Sequence, residues 1–258
     1  MPTAPSITLA LHFIRRDLRS RYLGSFSGGA WALVQPLIQL GIYAFVYVYV
    51  FRAPAPAASV GIVPFLALGL WPWIGFADAL QRATNAVPDN AALIGKVALP
   101  RELLVIASVS SSFLLHGVGF LTICLVLRLT GAPLALAALP LALLTYLQLF
   151  VFTLGLALVL ASVQVFVRDL AQVLAQILQM WMFATPVLYP RDFLPEQYRG
   201  WMSVNPLAWY VEHFRALLLG TPDTTLAAQA TALLLAALTL AIGFALFRRL
   251  SPHFEDFL

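Results

Sequence analysis

Six apolar runs, each long enough to cross a lipid bilayer as a helix, limit what this chain can fold into more than any other feature. The hydrocarbon core of a bilayer requires about 20 consecutive apolar residues in helical form. The runs cover residues 30–51, 60–80, 103–127, 134–166, 170–189 and 226–247. The fourth exceeds one perpendicular crossing and is expected to tilt or to extend past an interface. Pro64 and Pro72 predict a bent or re-entrant start to the second run. The sequence predicts an all-α integral membrane protein with six transmembrane helices.

The composition excludes the main soluble classes. The chain is 61% hydrophobic and only 10% charged, whereas a soluble domain carries roughly 25% charged residues. A soluble globular protein, a disordered chain and a nucleic-acid partner are therefore not expected. The single cysteine, Cys124, lies inside an apolar run, so an intrachain disulfide and a cysteine zinc site are not expected either.

The basic residues predict the orientation in the membrane. An even number of spans puts both termini on one side. Ten basic residues fall on the side of the termini: Arg15, Arg16, Arg19, Arg21, Arg82, Lys96, Arg101, Arg168, Arg248 and Arg249. Five fall on the other side: Arg52, Arg128, Arg191, Arg199 and Arg215. The positive-inside rule therefore places both termini in the cytoplasm.

Residues 1–29 are predicted to contain a basic amphipathic helix. Ile7, Leu11, Ile14 and Leu18 form one helical stripe, and the remaining surface carries four arginines, Arg15, Arg16, Arg19 and Arg21. Asp17 is spaced to pair with Arg21. Such a helix lies on the membrane surface. It either anchors the orientation of the chain or acts as a lever and a guide for an anionic lipid headgroup.

The long cytoplasmic connection contains a short apolar segment at residues 91–101. The residues that define it are Leu93, Ile94, Lys96, Leu99 and Pro100. A short helix with an apolar face exposed to the cytoplasm either fits a groove on a partner protein or lies flat on the bilayer.

The long outer connection, residues 193–220, is aromatic and patterned as helix. Asn205 is a predicted N-cap with Pro206 in the first turn, Gly220 is a predicted stop, and Glu212 is spaced to pair with Arg215. The residues singled out here are Trp201, Asn205, Trp209, Tyr210 and Arg215. The segment is either an interfacial aromatic belt or a set of re-entrant helices that close an exit path.

Aromatic side chains recur in the first and fifth spans. Tyr43, Tyr47 and Phe51 share a face in the first span, and the fifth carries Trp181 and Phe183. Aromatic rings combine a flat apolar face with, in Tyr and Trp, a polar tip, which suits the C–H faces and hydroxyls of sugars. These residues either line a carbohydrate path or pack against lipid and protein.

Catalytic and ion-coupling groups are missing from the sequence. There is no phosphate loop, no metal-ligand set and no nucleophile elbow, and no carboxylate lies in the middle of a span to couple an ion gradient. The ionisable residues nearest the interior are His116, for which an inter-helix hydrogen bond is favoured over a proton relay, and Asp78 near the end of the second span. No catalytic residue, metal or bound cofactor is expected, and energy for transport must come from another polypeptide.

The order of motifs resembles a known family. GGAWALVQPLIQL, LIGKVALPRELL, VFVRDLAQVLAQILQMWMFATPVLYP and NPLAWYVEHFRALLLG resemble the membrane subunit of type-2 ABC exporters of polysaccharides, the permeases of O-antigen, capsule and teichoic acid. The most specific pieces are W-A-L-x-Q-P at 31–36, Arg168-Asp169, and the L-x-P, N-P and F-R string over 188–215.

The resemblance implies a function and an assembly. It implies a homodimer in the bacterial cytoplasmic membrane with two P-loop ATPase subunits, which bind the ATP and Mg²⁺. The substrate is a lipid-linked glycan, moved outward through a channel between the two copies. Residues 93–100 match the coupling helix, residues 7–22 the interface helix, the first and fifth spans the channel walls, and residues 193–220 the outer gate. An exporter of a drug or lipid is the alternative, and a membrane enzyme or scaffold without an ATPase is a more distant one.

Overall fold

A computed structural model describes residues 4–21, 31–52, 61–96, 99–220 and 226–258. All regular elements in these ranges are helical. The helices are α1 (Ala4–Ser20), α2 (Trp31–Phe45, continued by a π-helical stretch Val46–Val50), α3 (Ile62–Asn85), α4 (Ala91–Ile94), α5 (Glu102–Leu129), α6 (Leu139–Phe166), α7 (Leu170–Phe183), α8 (Glu196–Met202), α9 (Pro206–Leu219) and α10 (Leu226–Leu250).

Four helical segments are long and apolar enough to cross a membrane: Ile62–Asn85, Glu102–Leu129, Leu136–Phe166 and Ala227–Asp256. They coincide with the predicted second, third, fourth and sixth spans. The predicted first and fifth spans form shorter apolar helices, Val34–Val50 and Leu170–Phe183. The all-helical membrane class is therefore confirmed. The count of six spans and the cytoplasmic location of the termini stay predictions, and residues 22–30, 60 and 97–98 of the predicted segments lie outside the described residues.

The fifth apolar helix is shorter than predicted because α7 ends at Phe183 instead of reaching residue 189. Its 14 residues rise about 21 Å at 1.5 Å per residue, less than the roughly 30 Å of a bilayer core. The chain then turns, and Thr185 Oγ1 donates a hydrogen bond to the Trp181 carbonyl at 2.8 Å. An apolar run alone does not reveal such a turn, since the turn residues Val187 and Leu188 are themselves apolar and buried.

Helix α3 is the centre of the bundle and contacts α2, α5, α6, α7 and α9. Its side chains are buried along almost its whole length, including Leu66, Trp71 and Phe76. The predicted bend at its start is not seen as a break, because the helix runs through both Pro64 and Pro72. Pro64 lies in the first turn, where the backbone nitrogen has no helical acceptor to lose.

Two glycines allow α6 and α10 to pack backbone against backbone. A Cβ atom on Gly155 would lie 2.5 Å from the backbone nitrogen of Leu240 and 2.6 Å from the carbonyl oxygen of Thr239. On the facing helix, Gly243 contacts the Gly155 backbone. Small residues permit this approach between helices in a membrane, where dispersion contacts replace the hydrophobic effect.

We predict that Gly155→Ala will loosen this crossing, because the new methyl group has rigid backbone in front of it. The expected cost is about 1–3 kcal/mol, the usual range for overpacking, measured as a lower thermal midpoint of the detergent-solubilised protein. Gly41→Ala is the matched control, since no atom lies within 4 Å of a Cβ built on Gly41. Equal midpoints for the two variants would contradict the crossing.

Candidate functional site

Arg21 joins α1 to the bundle through a buried polar cluster. Its Nε lies 2.9 Å from Asp17 Oδ2 and its Nη1 lies 3.2 Å from Asp78 Oδ2 on α3. Its Nη2 donates to the hydroxyls of Ser111 and Ser112 on α5, at 2.7 Å each. The two serines also bind the carboxylates, since Ser111 donates a hydrogen bond to Asp17 and Ser112 donates one to Asp78. We call Asp17, Arg21, Asp78, Ser111 and Ser112 the Arg21 cluster.

Asp78 is the hub of this cluster. Besides Arg21 and Ser112, it accepts from Arg82 Nε at 2.8 Å and lies 3.5 Å from His116 Nε2 on α5. Both carboxylate oxygens are therefore engaged. The contact to His116 joins α3 to α5, as expected for an inter-helix hydrogen bond. The i, i+4 pairing of Asp17 with Arg21 is also as predicted.

The four N-terminal arginines have different surroundings. The Arg21 side chain is only 2% exposed and each of its three nitrogens donates a hydrogen bond, so it holds the helix in place. Arg15, Arg16 and Arg19 are exposed, and Arg16 donates to the side chain of Asn90. Sequence periodicity cannot separate these arginines, because the partners of Arg21 on α3 and α5 lie 57 to 91 residues away.

The predicted coupling segment contains little regular helix in its described residues. Helix α4 has four residues, Ala91–Ile94, and follows a 3₁₀ turn at Pro88–Asn90. Ile94 is buried in the core, Leu93 and Leu99 are half-buried, and Lys96 and Pro100 are exposed. Only part of the predicted apolar face is therefore available to a partner. Its coupling role stays a prediction.

Asn205 connects the outer segment to α7. Its Oδ1 accepts from the backbone nitrogen of Leu207 at 3.0 Å, as predicted for the N-cap of α9. The same oxygen accepts from Trp181 Nε1 at 3.0 Å, and Nδ2 donates to Thr185 Oγ1 at 2.9 Å. Gly220 ends α9 with a left-handed φ of 74°, so the predicted stop is also observed.

Arg215 is turned into the protein, away from its predicted partner. Its Nε donates to the Phe65 carbonyl at 2.9 Å, and its terminal nitrogens donate to the carbonyls of Pro186 and Val187. The guanidinium lies over the Phe65 ring at 3.5 Å. The predicted pairing with Glu212 is replaced, since Glu212 lies 3.8 Å from Arg191 instead. Three backbone acceptors and a ring bind this cation in place of one half-buried carboxylate.

The other predicted gate residues are unequally accessible. Tyr210 is fully buried, and Trp209 is half-buried with its ring stacked on His213 at 4.6 Å. Trp201 is exposed. Burial shows that Tyr210 and Arg215 support the outer segment from inside, whereas Trp201 lies on its surface.

A cavity of about 560 Å³ near the end of α7 is lined mainly by aromatic side chains, and we call it the aromatic cavity. It is bordered by two predicted channel residues, Trp181 and Phe183, and two predicted gate residues, Trp201 and Asn205. Tyr189 and Tyr198 also border it. In the sequence, only the aromatic character of Tyr189 and Tyr198 indicates that they could belong to such a site.

The aromatic residues of the first apolar helix lie outside that group. Tyr43 and Tyr47 are half-buried against the core, and Phe51 is exposed. Phe45 and Tyr49 on the other face are exposed as well. This helix therefore presents aromatic rings on more than one side, and the structure leaves several of them without cover from the described part of the chain.

A bundle of long apolar helices with a charged cluster near one end and an aromatic cavity near the other has the features of a membrane transport subunit. Residues 8–219 match the family of ABC-2 type transporters, so the chain belongs to that family. Membership and the apolar helices confirm the predicted multi-pass location in the cytoplasmic membrane.

Several characterised proteins are similar to the chain over most of its length. An O-antigen export system permease from Myxococcus xanthus is 30% identical, over 81% of this chain and 79% of its own. A second O-antigen export permease, from Klebsiella pneumoniae, is 27% identical over 94% of this chain and 92% of its own. A polysialic acid transport protein from Escherichia coli is 26% identical over 94% of this chain and 93% of its own.

We predict that Arg21→Met will destabilise the fold, because it leaves the carboxylates of Asp17 and Asp78 without their shared cation. A fully buried pair costs about 3–5 kcal/mol to break. We expect about 2–3 kcal/mol here, because the two carboxylate side chains are 31% and 26% exposed. Unfolding in a graded detergent series measures the change.

Two further variants complete this test. Arg19→Met is the matched control on the exposed side of α1, and it should leave the unfolding transition where it is. Adding Asp17→Asn to Arg21→Met should recover part of the lost stability, because Asp17 loses its ion pair with Arg21, whereas Asp78 keeps the one with Arg82. If Arg19→Met and Arg21→Met unfold together, the cluster does not stabilise the helix.

Proposed function

We propose that this chain is the permease subunit of an ATP-driven exporter that moves a lipid-linked polysaccharide out of the cytoplasm. The observation that carries the proposal is the similarity along most of the chain to O-antigen and polysialic acid transport proteins. The glycan, of the O-antigen, capsule or teichoic acid type, passes through a channel between two copies of the chain. The chain performs no bond chemistry, and a separate P-loop ATPase, present in two copies, binds ATP and Mg²⁺.

The exposed aromatic rings support a carbohydrate path. Phe51, Phe183 and Trp201 each present more than half of their surface, and Trp181 and Phe183 border the aromatic cavity. Rings of this kind offer flat contacts to sugar C–H faces without strong directional bonds. A long polymer can therefore slide along them while each sugar in turn is held weakly.

The exposed arginines of α1 support recognition of an anionic lipid carrier. Arg15, Arg16 and Arg19 lie on the accessible face of an amphipathic helix. A basic helix at the cytoplasmic surface attracts phosphate-bearing headgroups, at about 1 kcal/mol for each basic residue near the surface. A diphosphate at the reducing end of the glycan would be held there. Arg21 contributes to the position of this helix, since its own donors are occupied.

ATP hydrolysis would reach the membrane through residues 91–101 and α1. Lys96 and Pro100 are exposed, and Leu93 is half-buried, so a partner could contact them at the surface. Helix α1 is held to α3 and α5 by the Arg21 cluster. A displacement of α1 would therefore be passed directly to the central helices of the bundle.

The proposal is tested by deleting the gene in its own host and measuring polysaccharide on the cell surface and inside the cell. We expect the surface polymer to disappear, an intracellular pool to accumulate, and the intact gene to restore export. Restoration by Tyr43→Ala with Tyr47→Ala should be weaker by at least about fivefold, because two ring contacts of about 0.5–1.5 kcal/mol each are lost. Leu234→Ala, on the exposed face of α10, is the control and should restore export.

Two outcomes would contradict the proposal at different levels. Unchanged surface polysaccharide in the deletion strain would show that the glycan is not the substrate, and it would favour an exporter of a drug or lipid. Full export by the double tyrosine variant would leave the function intact and return Tyr43 and Tyr47 to a packing role.

We predict that Lys96→Glu and Leu93→Asp will uncouple ATP hydrolysis from export. Each change places a negative charge on the predicted docking segment, so hydrolysis by the complex should continue while surface polysaccharide falls. Arg249→Glu, a charge reversal at another exposed basic residue, should export normally. Normal export by both docking variants would mean that the ATPase acts through a different segment.

A further inference from the structure

A second cavity, of about 460 Å³, is lined by amide side chains and tryptophans. It lies between α2, α3, α5 and α7, and its wall includes Gln35, Gln39, Gln81, Trp31 and Trp73. We call it the glutamine cavity. Its volume falls within the range of about 300–1,000 Å³ that is usual for small-molecule sites.

The amides form ordered rows on two helices. Trp31, Gln35 and Gln39 follow one another at intervals of four along α2, and Trp73 and Gln81 lie eight apart on α3. Residues four apart share one helical face. Each helix therefore contributes one polar stripe with a tryptophan and at least one glutamine, and both stripes border the same space.

These amides are not used to hold the protein together. The structure gives Gln35 and Gln81 no hydrogen-bond partner among the residues that it describes, and both side chains are exposed. Gln39 has only a long contact of 3.5 Å with the Tyr43 hydroxyl. The donors and acceptors of these amides are therefore available to an occupant of the cavity that itself carries hydrogen-bonding groups.

The charges on the wall do not favour an ion as that occupant. Asp78 borders the cavity, but its carboxylate already binds Arg21, Arg82, Ser112 and His116. Arg21, Arg82 and His116 border the cavity as well, and each of them is paired with Asp78. The other polar groups on the wall are neutral amides, each with a carbonyl acceptor and two N–H donors. This pattern matches neighbouring hydroxyl groups of a sugar, and the exposed Trp31 ring offers a flat apolar surface for the sugar face.

The glutamine cavity adjoins two other features of the proposed path. Asp78, Gln81 and Arg82 border a neighbouring cavity of about 490 Å³, which reaches Arg16 and Asp17 on α1. In the other direction, Gln39 contacts Tyr43, which belongs to the predicted aromatic path. A ligand in the glutamine cavity would therefore lie between the basic helix and the first aromatic rings.

We propose that the glutamine cavity binds a short, hydroxyl-rich saccharide segment, with Gln35, Gln39 and Gln81 as the hydrogen-bonding residues. The inference rests on the proposed function, since the saccharide is part of the exported glycan. It adds a polar binding step ahead of the aromatic path. Binding by amides is directional, so this step can select among sugars, which flat aromatic contacts do poorly.

The test is photocrosslinking in the native host with the full chain. A photoreactive amino acid replaces Gln35 or Gln81, and, in separate strains, Phe183 in the aromatic cavity or Leu234 on the exposed face of α10. Cells are irradiated during polysaccharide synthesis, and the chain is purified and probed for covalently attached glycan. We expect attached glycan at positions 35, 81 and 183 and none at 234.

The four positions separate the two proposals. Glycan at 183 but at neither 35 nor 81 overturns the saccharide cavity while the export function stands. Glycan at none of the positions overturns both. Glycan at 234 as well shows indiscriminate labelling and also overturns the cavity.

A second measurement uses variants that keep the size of the side chain. Gln35→Leu and Gln81→Leu should each lower surface polysaccharide by about fivefold, the loss expected for one hydrogen bond. Thr122→Val, which removes a hydroxyl from α5 at a position that borders neither this cavity nor the aromatic one, should export as the unmodified chain does. Equal export by all three variants would contradict a hydrogen-bonding role for the amides.

Discussion

The buried contact between Arg21 and Asp78 is the interaction on which the arrangement of the bundle most depends. It holds helix α1 against α3 and α5, since Arg21 contacts Asp78 on α3 and the same guanidinium contacts Ser111 on α5. A guanidinium that is almost fully enclosed requires several acceptors, and here two carboxylates and two hydroxyls supply them. Removing the guanidinium leaves the two carboxylates without their shared cation in a poorly solvated place. The helix is therefore held in one position, and a force on α1 acts on α3 and α5 as well.

The other end of the bundle uses the same principle with neutral acceptors. Arg215 donates to three backbone carbonyls in α3 and in the turn after α7, and Asn205 joins α9 to Trp181 and Thr185. Glycine at position 69 leaves room for the guanidinium, since a Cβ there would lie 2.7 Å from its Cζ. These bonds position the aromatic cavity, because Trp181 and Asn205 both border it. In our proposal, the two ends of a transport path are each fixed by one buried arginine.

Much of the fold could be predicted from the sequence because its signals are local. Length and hydropathy predict six apolar helices, of which four are long enough to cross a membrane among the described residues. Asn205 and Gly220 mark the limits of α9 through backbone chemistry within a few residues. The prediction for Arg215 was wrong because partners close in sequence compete with partners that only the fold brings near. Glu212 is the near partner of Arg215, yet carbonyls as far as 150 residues away bind it. Arg21 looks like its three neighbours until the fold brings Asp78 to it.

The central claim is that this chain moves its substrate with energy supplied by another polypeptide. The most direct measurement is native mass spectrometry of the gently solubilised protein, purified from its own host through a tag on this chain. The account predicts a complex of two copies of this chain with two copies of a P-loop ATPase. A reproducible monomer or dimer of intact chains with no ATPase bound would contradict the energy coupling and favour a membrane enzyme or scaffold.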